Sequence, residues 1–108
     1  MPAKIDLAGG QTTFVTKPVS PCAGRDFTVS WEDENVGDED SIEYQDIFNL
    51  NDGDKGASKD IKCTPLARGE RALRTLTFNL EAGDYTMEVV LNGRGPLTLG
   101  NVIINECS

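Results

Sequence analysis

Alternation of apolar and polar residues with a period of two is the feature that most limits how this chain can fold. It is strict in Asp26–Glu32 and in Asp84–Asn92, each of which places its large apolar side chains on one face. These side chains are Phe27, Val29, Trp31, Tyr85, Met87, Val89 and Leu91. A period of two, rich in β-branched and aromatic residues, is typical of half-buried β-strands. The sequence therefore predicts a β protein.

Weaker versions of this pattern predict about five more strands. They are Thr12–Lys17, Ser41–Leu50, Ser58–Cys63, Arg74–Leu80 and Leu97–Asn105. The alternation slips at Ile47–Phe48, where we expect a bulge or a change of sheet. It also slips around Gly100–Asn101. About seven strands at intervals of roughly 8–14 residues indicate a two-sheet sandwich. The length of 108 residues allows one such domain, spanning residues 1–108.

The segment Leu66–Leu73 has an alternative interpretation as a helical turn. Leu, Ala, Arg and Glu all favour helix. Gly69 in the middle of the segment, and the Thr- and Phe-rich residues that follow it, favour a turn that leads into a strand. We therefore expect a strand here, with the helix as the alternative.

Two turn-containing segments, Thr64–Glu70 and Leu80–Tyr85, carry the most specific signal for the fold. Gly83 allows the chain to turn sharply between strands of opposite sheets. The Tyr85 ring can then be buried while its hydroxyl returns to the backbone of the turn, which is the tyrosine-corner geometry of Greek-key sandwiches. Leu80, Gly83 and Tyr85 are predicted to form this structural corner.

Together with Phe27–Trp31, the turn Asn35–Gly37 and the strand Ser41–Leu50, these segments resemble the CARDB family of cell-adhesion-related domains of bacteria and archaea. The resemblance covers roughly Ala23 to Ile104. It implies an immunoglobulin-like Greek-key β-sandwich of about seven strands. It also implies a place on the cell surface or beside a catalytic domain, where such modules contact protein or carbohydrate or act as spacers.

The positions of the cysteines predict a disulfide between Cys22 and Cys107. Cys22 follows the first predicted strand and Cys107 follows the last. In a Greek-key sandwich these strands are expected to run parallel and end at the same pole, which would bring the two cysteines within bonding distance. The bridge would indicate an oxidising compartment. Cys63 is expected near the opposite pole as a free thiol. The alternative is that all three are ordinary buried residues.

Composition excludes several classes of function. The chain has no His, which removes Ser-His-Asp and Cys-His catalysis and the commonest metal ligand. A formal charge of −8 disfavours nucleic acid and anionic membrane surfaces. No segment approaches the roughly 20 apolar residues of a membrane helix. We expect a protein without catalytic activity that neither binds nucleic acid nor inserts into membranes.

More than half of the acidic residues lie between Glu32 and Asp54, with no basic residue among them. Loops after the second and sixth strands of a sandwich gather at one end. The loops Glu32–Ser41 and Asn92–Pro96 should therefore form one pole, which would attract a basic protein partner. Contact through a sheet edge or face is the alternative. The candidate contact residues are Asp33, Glu34, Asp38, Glu39, Asp40 and Arg94.

The acidic loops also raise the question of a calcium site. Asp38 and Asp40 in the first loop, and Asp52 and Asp54 in the next, are the candidate ligands because hard cations prefer oxygen donors. The two pairs should lie at opposite poles, and solvated loops without metal are the alternative. No other cofactor is predicted.

The N-terminus has no hydrophobic core and is not a signal peptide. We expect a domain cut from a longer secreted chain, with a cytoplasmic protein as the alternative. The leading hypothesis is an extracellular or cell-surface accessory module that contacts a protein or acts as a spacer. A calcium-dependent or carbohydrate-binding module is the second hypothesis, and exposed aromatic rings would favour it. A cytosolic acidic inhibitor of the immunity type is the third.

Overall fold

The computed structural model describes residues 4–107, apart from the side chains of Cys63 and Thr64, and within that range it contains eight β-strands and no helix. It follows that no described helix could cross a membrane. The strands are β1 (Lys4–Leu7), β2 (Thr12–Val15), β3 (Phe27–Asn35), β4 (Ser41–Asp52), β5 (Lys55–Ala67), β6 (Arg71–Phe78), β7 (Thr86–Gly93) and β8 (Leu97–Ile104).

The strands form two four-stranded sheets that pack face to face. One sheet has the order β1-β8-β3-β6 and the other β2-β7-β4-β5, and all neighbouring strands are antiparallel. This is the strand order of an eight-stranded jelly roll, which contains two Greek keys. The predicted all-β Greek-key sandwich is confirmed, with eight strands instead of about seven. The strand predicted to be first, Thr12–Lys17, corresponds to β2, which pairs with β7 and lies in the opposite sheet from β8, so the expected parallel pairing of these two strands is wrong.

The core lies between the two sheets and takes its side chains from alternate positions of the strands. β3 shows the pattern most clearly, since every second residue from Phe27 to Asn35 is buried. The Trp31 ring packs on Phe48 of the opposite sheet, with 4.5 Å between ring centroids. Burying a side chain of this size contributes roughly 1.5–3 kcal/mol. The two strictly alternating segments therefore supply the centre of the core.

The two predicted irregularities have different outcomes. At Gly100–Asn101 the slip is confirmed, because the single residue Trp31 of β3 lies opposite both Asn101 and Val102 of β8. Asn101 has a φ of 51°, a left-handed conformation that Asn tolerates. At Ile47–Phe48 the prediction is wrong. The alternation of β4 continues there without a break, with Ile47 pointing outward, and the irregularity in its pairing lies between Ile42 and Tyr44.

The helical alternative for Leu66–Leu73 is also wrong. β5 ends at Ala67 and β6 begins at Arg71, so the segment contains a turn that carries the chain from one sheet to the other. Gly69 has a φ of 78°, which L-residues with side chains rarely adopt. The Gly69 N–H donates to the Asn35 carbonyl, 2.8 Å away, which fixes this turn to the end of β3.

The residues of the predicted corner adopt the expected arrangement. Tyr85 is buried, and its hydroxyl donates to the Glu81 carbonyl at 2.8 Å. Leu80 is half-buried against the core. A Cβ atom added to Gly83 would collide with the Asp52 carboxylate and lie 3.3 Å from the Tyr85 ring, so a larger residue at this position would require the Asp52 side chain to move.

The structure contains the predicted disulfide between Cys22 and Cys107, with 4.9 Å between the Cα atoms. The pairing of strands that brings them together differs from the expected one. After β2 the chain stays beside β7, where Val19 bridges Tyr85, and the Cys107 N–H then donates to the Ser20 carbonyl at 2.8 Å. The thiol of Cys63, predicted to be free and near the opposite pole, lies outside the described residues.

Candidate functional site

The two loops predicted to share a pole do meet, because Arg94 forms an ion pair with Glu39. However, the acidic residues of this pole are paired with arginines that are distant in sequence. The pairs are Arg71 with Glu32 and Glu34, Arg68 with Asp40, and Arg94 with Glu39. Exposed pairs of this kind contribute little to stability, but they offset much of the negative charge. The pole as a site for a basic partner stays a prediction.

Asp33 must be removed from the candidate contact residues. It was placed in a loop, but β3 continues to Asn35 and its alternation turns Asp33 into the core, where it is fully buried. Trp31 Nε1 and the Tyr44 hydroxyl each donate to one of its carboxylate oxygens at 2.8 Å. Arg74 Nε lies 3.6 Å from the same carboxylate. Asp33 therefore organises the core and cannot contact a partner.

A second carboxyl group, that of Asp46 on β4, faces Asp33 across the sandwich and is also fully buried. Among the described residues, no donor reaches either Asp46 oxygen, because the Trp31 N–H is directed to Asp33. Burial, and then the neighbouring Asp33 carboxylate, raise the pKa of Asp46 from 3.8 to about 9. Asp46 is therefore protonated at neutral pH. Because the pair is sealed from solvent, no substrate can reach it.

The four predicted calcium ligands do not come together. Asp38 and Asp40 precede β4, whereas Asp52 and Asp54 lie at its far end, 12 residues later and on the order of 35 Å away. In the described part of the chain, no three His, Cys, Asp or Glu side chains are placed to hold a metal ion. The two pairs therefore lie at opposite ends of β4, as expected, and cannot share one ion.

We expect millimolar calcium to leave the melting temperature unchanged, because these carboxylates are not brought together to bind it. Calcium that did bind the folded state would raise the melting temperature. The measurement is a thermal melt of the native protein and of the Asp38→Asn/Asp40→Asn variant, with and without calcium. A rise of several degrees in the native protein that is lost in the variant would contradict this expectation.

The outer face of the sheet β2-β7-β4-β5 carries an ordered set of polar side chains, here called the amide face. Its members are Gln45, Asn49, Ser58, Asp60, Glu88 and Asn92, with Ile47 and Val90 between them. On β4 and β7 these residues alternate with buried ones, so their side chains project outward. Ser58 and Asp60 of β5 lie on the same face.

Hydrogen bonds across the strands fix these side chains in two rows. In one row Asn92 donates to Gln45 at 3.2 Å, and Gln45 donates to Asp60 at 2.7 Å. In the other row Ser58 donates to Asn49 at 2.5 Å, and Asn49 donates to Glu88 at 2.8 Å.

The half-buried pair Ile47 and Val90 separates the two rows. A shallow depression of about 380 Å³ lies at the Asn49 end, and a second, of about 450 Å³, lies beside Glu43 and Arg94.

This arrangement suits a flat ligand with alternating polar and apolar features. The amide planes are held by their neighbours, so little side-chain entropy is lost when they bind. Amides both donate and accept hydrogen bonds, as hydroxyl groups do. The sequence contained a signal for this face, namely Gln45, Ile47 and Asn49 at alternate positions. The signal was missed because the strand was expected to slip at Ile47–Phe48.

The chain has no exposed aromatic platform of the kind expected for a sugar-binding protein. Of its four Phe, two Tyr and one Trp residues, all but Phe14 are buried. Phe14 on β2 is half-buried. A sugar on the amide face would therefore be held by hydrogen bonds and aliphatic contacts rather than by stacking on a ring.

Comparison with solved structures confirms the architecture. The chain is similar to the C-terminal CBM6 of LamC, a marine laminarinase from Zobellia galactanivorans, with a TM-score of 0.58 and 10% sequence identity over 94% of this chain and 76% of that one. It is also similar to TmCBM61, solved in complex with β-1,4-galactotriose, with a TM-score of 0.56 and 16% identity over 96% and 69%.

At these identities the likeness establishes the β-sandwich fold alone. No protein-family model matches the sequence, and no curated protein matches it. The resemblance to CARDB domains therefore stays a prediction.

Proposed function

We propose that this protein is a non-catalytic, extracellular carbohydrate-binding module and that its ligand lies on the amide face. The observation that carries the proposal is the pair of hydrogen-bonded rows centred on Gln45 and Asn49, with the aliphatic strip of Ile47 and Val90 between them. A pyranose ring has the same alternation, since it presents C–H groups on its faces and hydroxyl groups at its edge.

Three further observations support this proposal over the alternatives. Both structural neighbours are carbohydrate-binding modules, and one of them was solved with a bound trisaccharide. The Cys22–Cys107 disulfide favours an oxidising, extracellular compartment over the cytosolic inhibitor considered above. The one carboxyl group with a strongly raised pKa, Asp46, is buried away from any substrate, which supports a role in binding rather than in catalysis.

The test is binding of neutral polysaccharides to the native protein and to the Gln45→Ala/Asn49→Ala variant. Laminarin and β-1,4-galactotriose are suitable first probes, followed by a panel of neutral β-linked glycans. We expect the variant to lose about 10- to 100-fold in affinity, because each lost hydrogen bond contributes on the order of 1 kcal/mol. Isothermal titration and affinity electrophoresis measure this loss.

The matched control is Thr75→Ala/Thr77→Ala, which removes exposed hydroxyl groups from the outer face of the other sheet. It should leave affinity unchanged. Binding by the native protein that survives Gln45→Ala/Asn49→Ala would rule out the amide face. A native protein that binds no member of the panel would favour the adhesion-related spacer or protein-contact role that the CARDB resemblance implies.

A further inference from the structure

A groove of about 300 Å³ lies beside β2, apart from the amide face. Its apolar wall is made by Phe14, Val15, Pro18 and Val19. Phe14 is the aromatic ring that the fold leaves partly accessible, and Val15 is 55% exposed. A contiguous apolar patch rimmed by polar residues commonly marks a binding site.

The opposite wall of the groove is fixed by the disulfide. Glu106 lines the groove and is followed directly by Cys107 of the bridge. A Glu106 carboxylate oxygen accepts the Ser20 N–H at 3.1 Å, and the Cys107 N–H donates to the Ser20 carbonyl at 2.8 Å. This segment is thus anchored by a covalent bond and two hydrogen bonds, and it presents Glu106 in a defined position.

The charges at the groove select the class of ligand. Glu106 offers oxygen acceptors, and Lys17, which also lines the groove, offers donors. Hydroxyl groups can accept from the Lys17 ammonium and donate to the Glu106 carboxylate, so a neutral polyol hydrogen-bonds to both without leaving either charge unpaired. The volume lies at the small end of the range for ligand pockets, which limits the occupant to about one monosaccharide.

We propose that this groove is a second binding site, which holds a single neutral pyranose unit with its C–H face on Phe14 and its hydroxyl groups between Lys17 and Glu106. The class of ligand assigned to this site rests on the proposed function, whereas its location rests on the groove alone. A glycan end bound here leaves the amide face free for internal units, so the two sites serve different parts of a polysaccharide.

The experiment is an NMR titration of the native, oxidised protein with methyl β-glucoside, methyl β-galactoside and methyl β-xyloside, each at up to about 10 mM, where weak sites become occupied. We expect at least one glycoside to shift the amide signals of Lys17, Val19 and Glu106. Lys17→Met should weaken this binding at least about fivefold, because a charged donor is lost. Lys4→Met, which removes an exposed lysine on β1, should not.

Glu106→Gln provides a second variant that keeps an acceptor for the Ser20 N–H while removing the charge. It should also weaken binding and leave the fold intact. Gln45→Ala/Asn49→Ala should bind the glycoside as the native protein does, which distinguishes this site from the amide face. No shift in the groove with any of the three glycosides, or equal binding in Lys17→Met and Lys4→Met, would overturn the proposal.

Discussion

Replacing Cys22 and Cys107 together with serine is expected to lower the free energy of unfolding by about 4.5 kcal/mol. The two residues are separated by 85 positions, so the bridge closes most of the chain into one loop. In the chain-entropy treatment, a loop of this length removes about that much conformational freedom from the unfolded state. For a domain of this size the melting temperature should fall by roughly 20–30 °C. Urea unfolding of the variant and of the oxidised native protein measures the difference.

Alkylation under denaturing conditions provides the control for this prediction. Without reductant, Cys22 and Cys107 should be protected from modification. Once reductant is added, the intact mass should increase by two further alkyl groups. Modification of all three cysteines without reductant would show that the bridge is absent in solution. A double serine variant that unfolds at the same urea concentration as the oxidised protein would show that the bridge adds no stability.

The strands that the sequence predicted best are those whose pattern is set by burial alone. β3 and β7 alternate because one face is core and the other solvent, and both were located from this period. β1 was missed because Lys4–Leu7 offers only Ile5 and Leu7 as apolar residues, too few to show a period. Its place next to β8 depends on long-range pairing that local sequence does not encode.

The charges of the acidic pole could not be assessed from the sequence for a related reason. The loop has no basic residue near it in the chain, yet Arg68, Arg71 and Arg94 all reach it. Arg71 comes to face Glu34 only through the register of β6 on β3. A local count of charge therefore overstated the field at this pole.

The largest error of the sequence-based interpretation concerns Asp33, and the burial of Asp46 was not foreseen. Local rules place acidic residues at the surface, because burying a charge is costly. Each of these residues can be buried only because of what the other strands supply. Asp33 has donors from Trp31 and Tyr44 and the charge of Arg74, while Asp46 is buried in its neutral form. No single strand contains this information.

The raised pKa of Asp46 makes the stability of the native protein depend on pH. In the unfolded chain this group has its ordinary pKa near 3.8, and in the folded protein its pKa is about 9 because it is buried next to Asp33. Between these two values the folded state holds one proton more than the unfolded state. Linkage then requires the free energy of unfolding to fall as pH rises from about 4 to about 9, by up to about 1.4 kcal/mol per pH unit from this group.

Asp46→Asn should remove this dependence. The amide has nearly the same shape as the protonated carboxyl group and retains a donor that can face Asp33, but it does not ionise. We therefore expect the variant to match the native protein near pH 4 and to exceed its stability by an increasing margin, up to several kcal/mol, near pH 8. Urea unfolding at a series of pH values measures the difference.

Asp38→Asn is the matched control, because it makes the same change at an exposed loop position. Its stability should equal that of the native protein at every pH. If Asp46→Asn instead loses stability equally at every pH, then Asp46 is not the group that holds the extra proton.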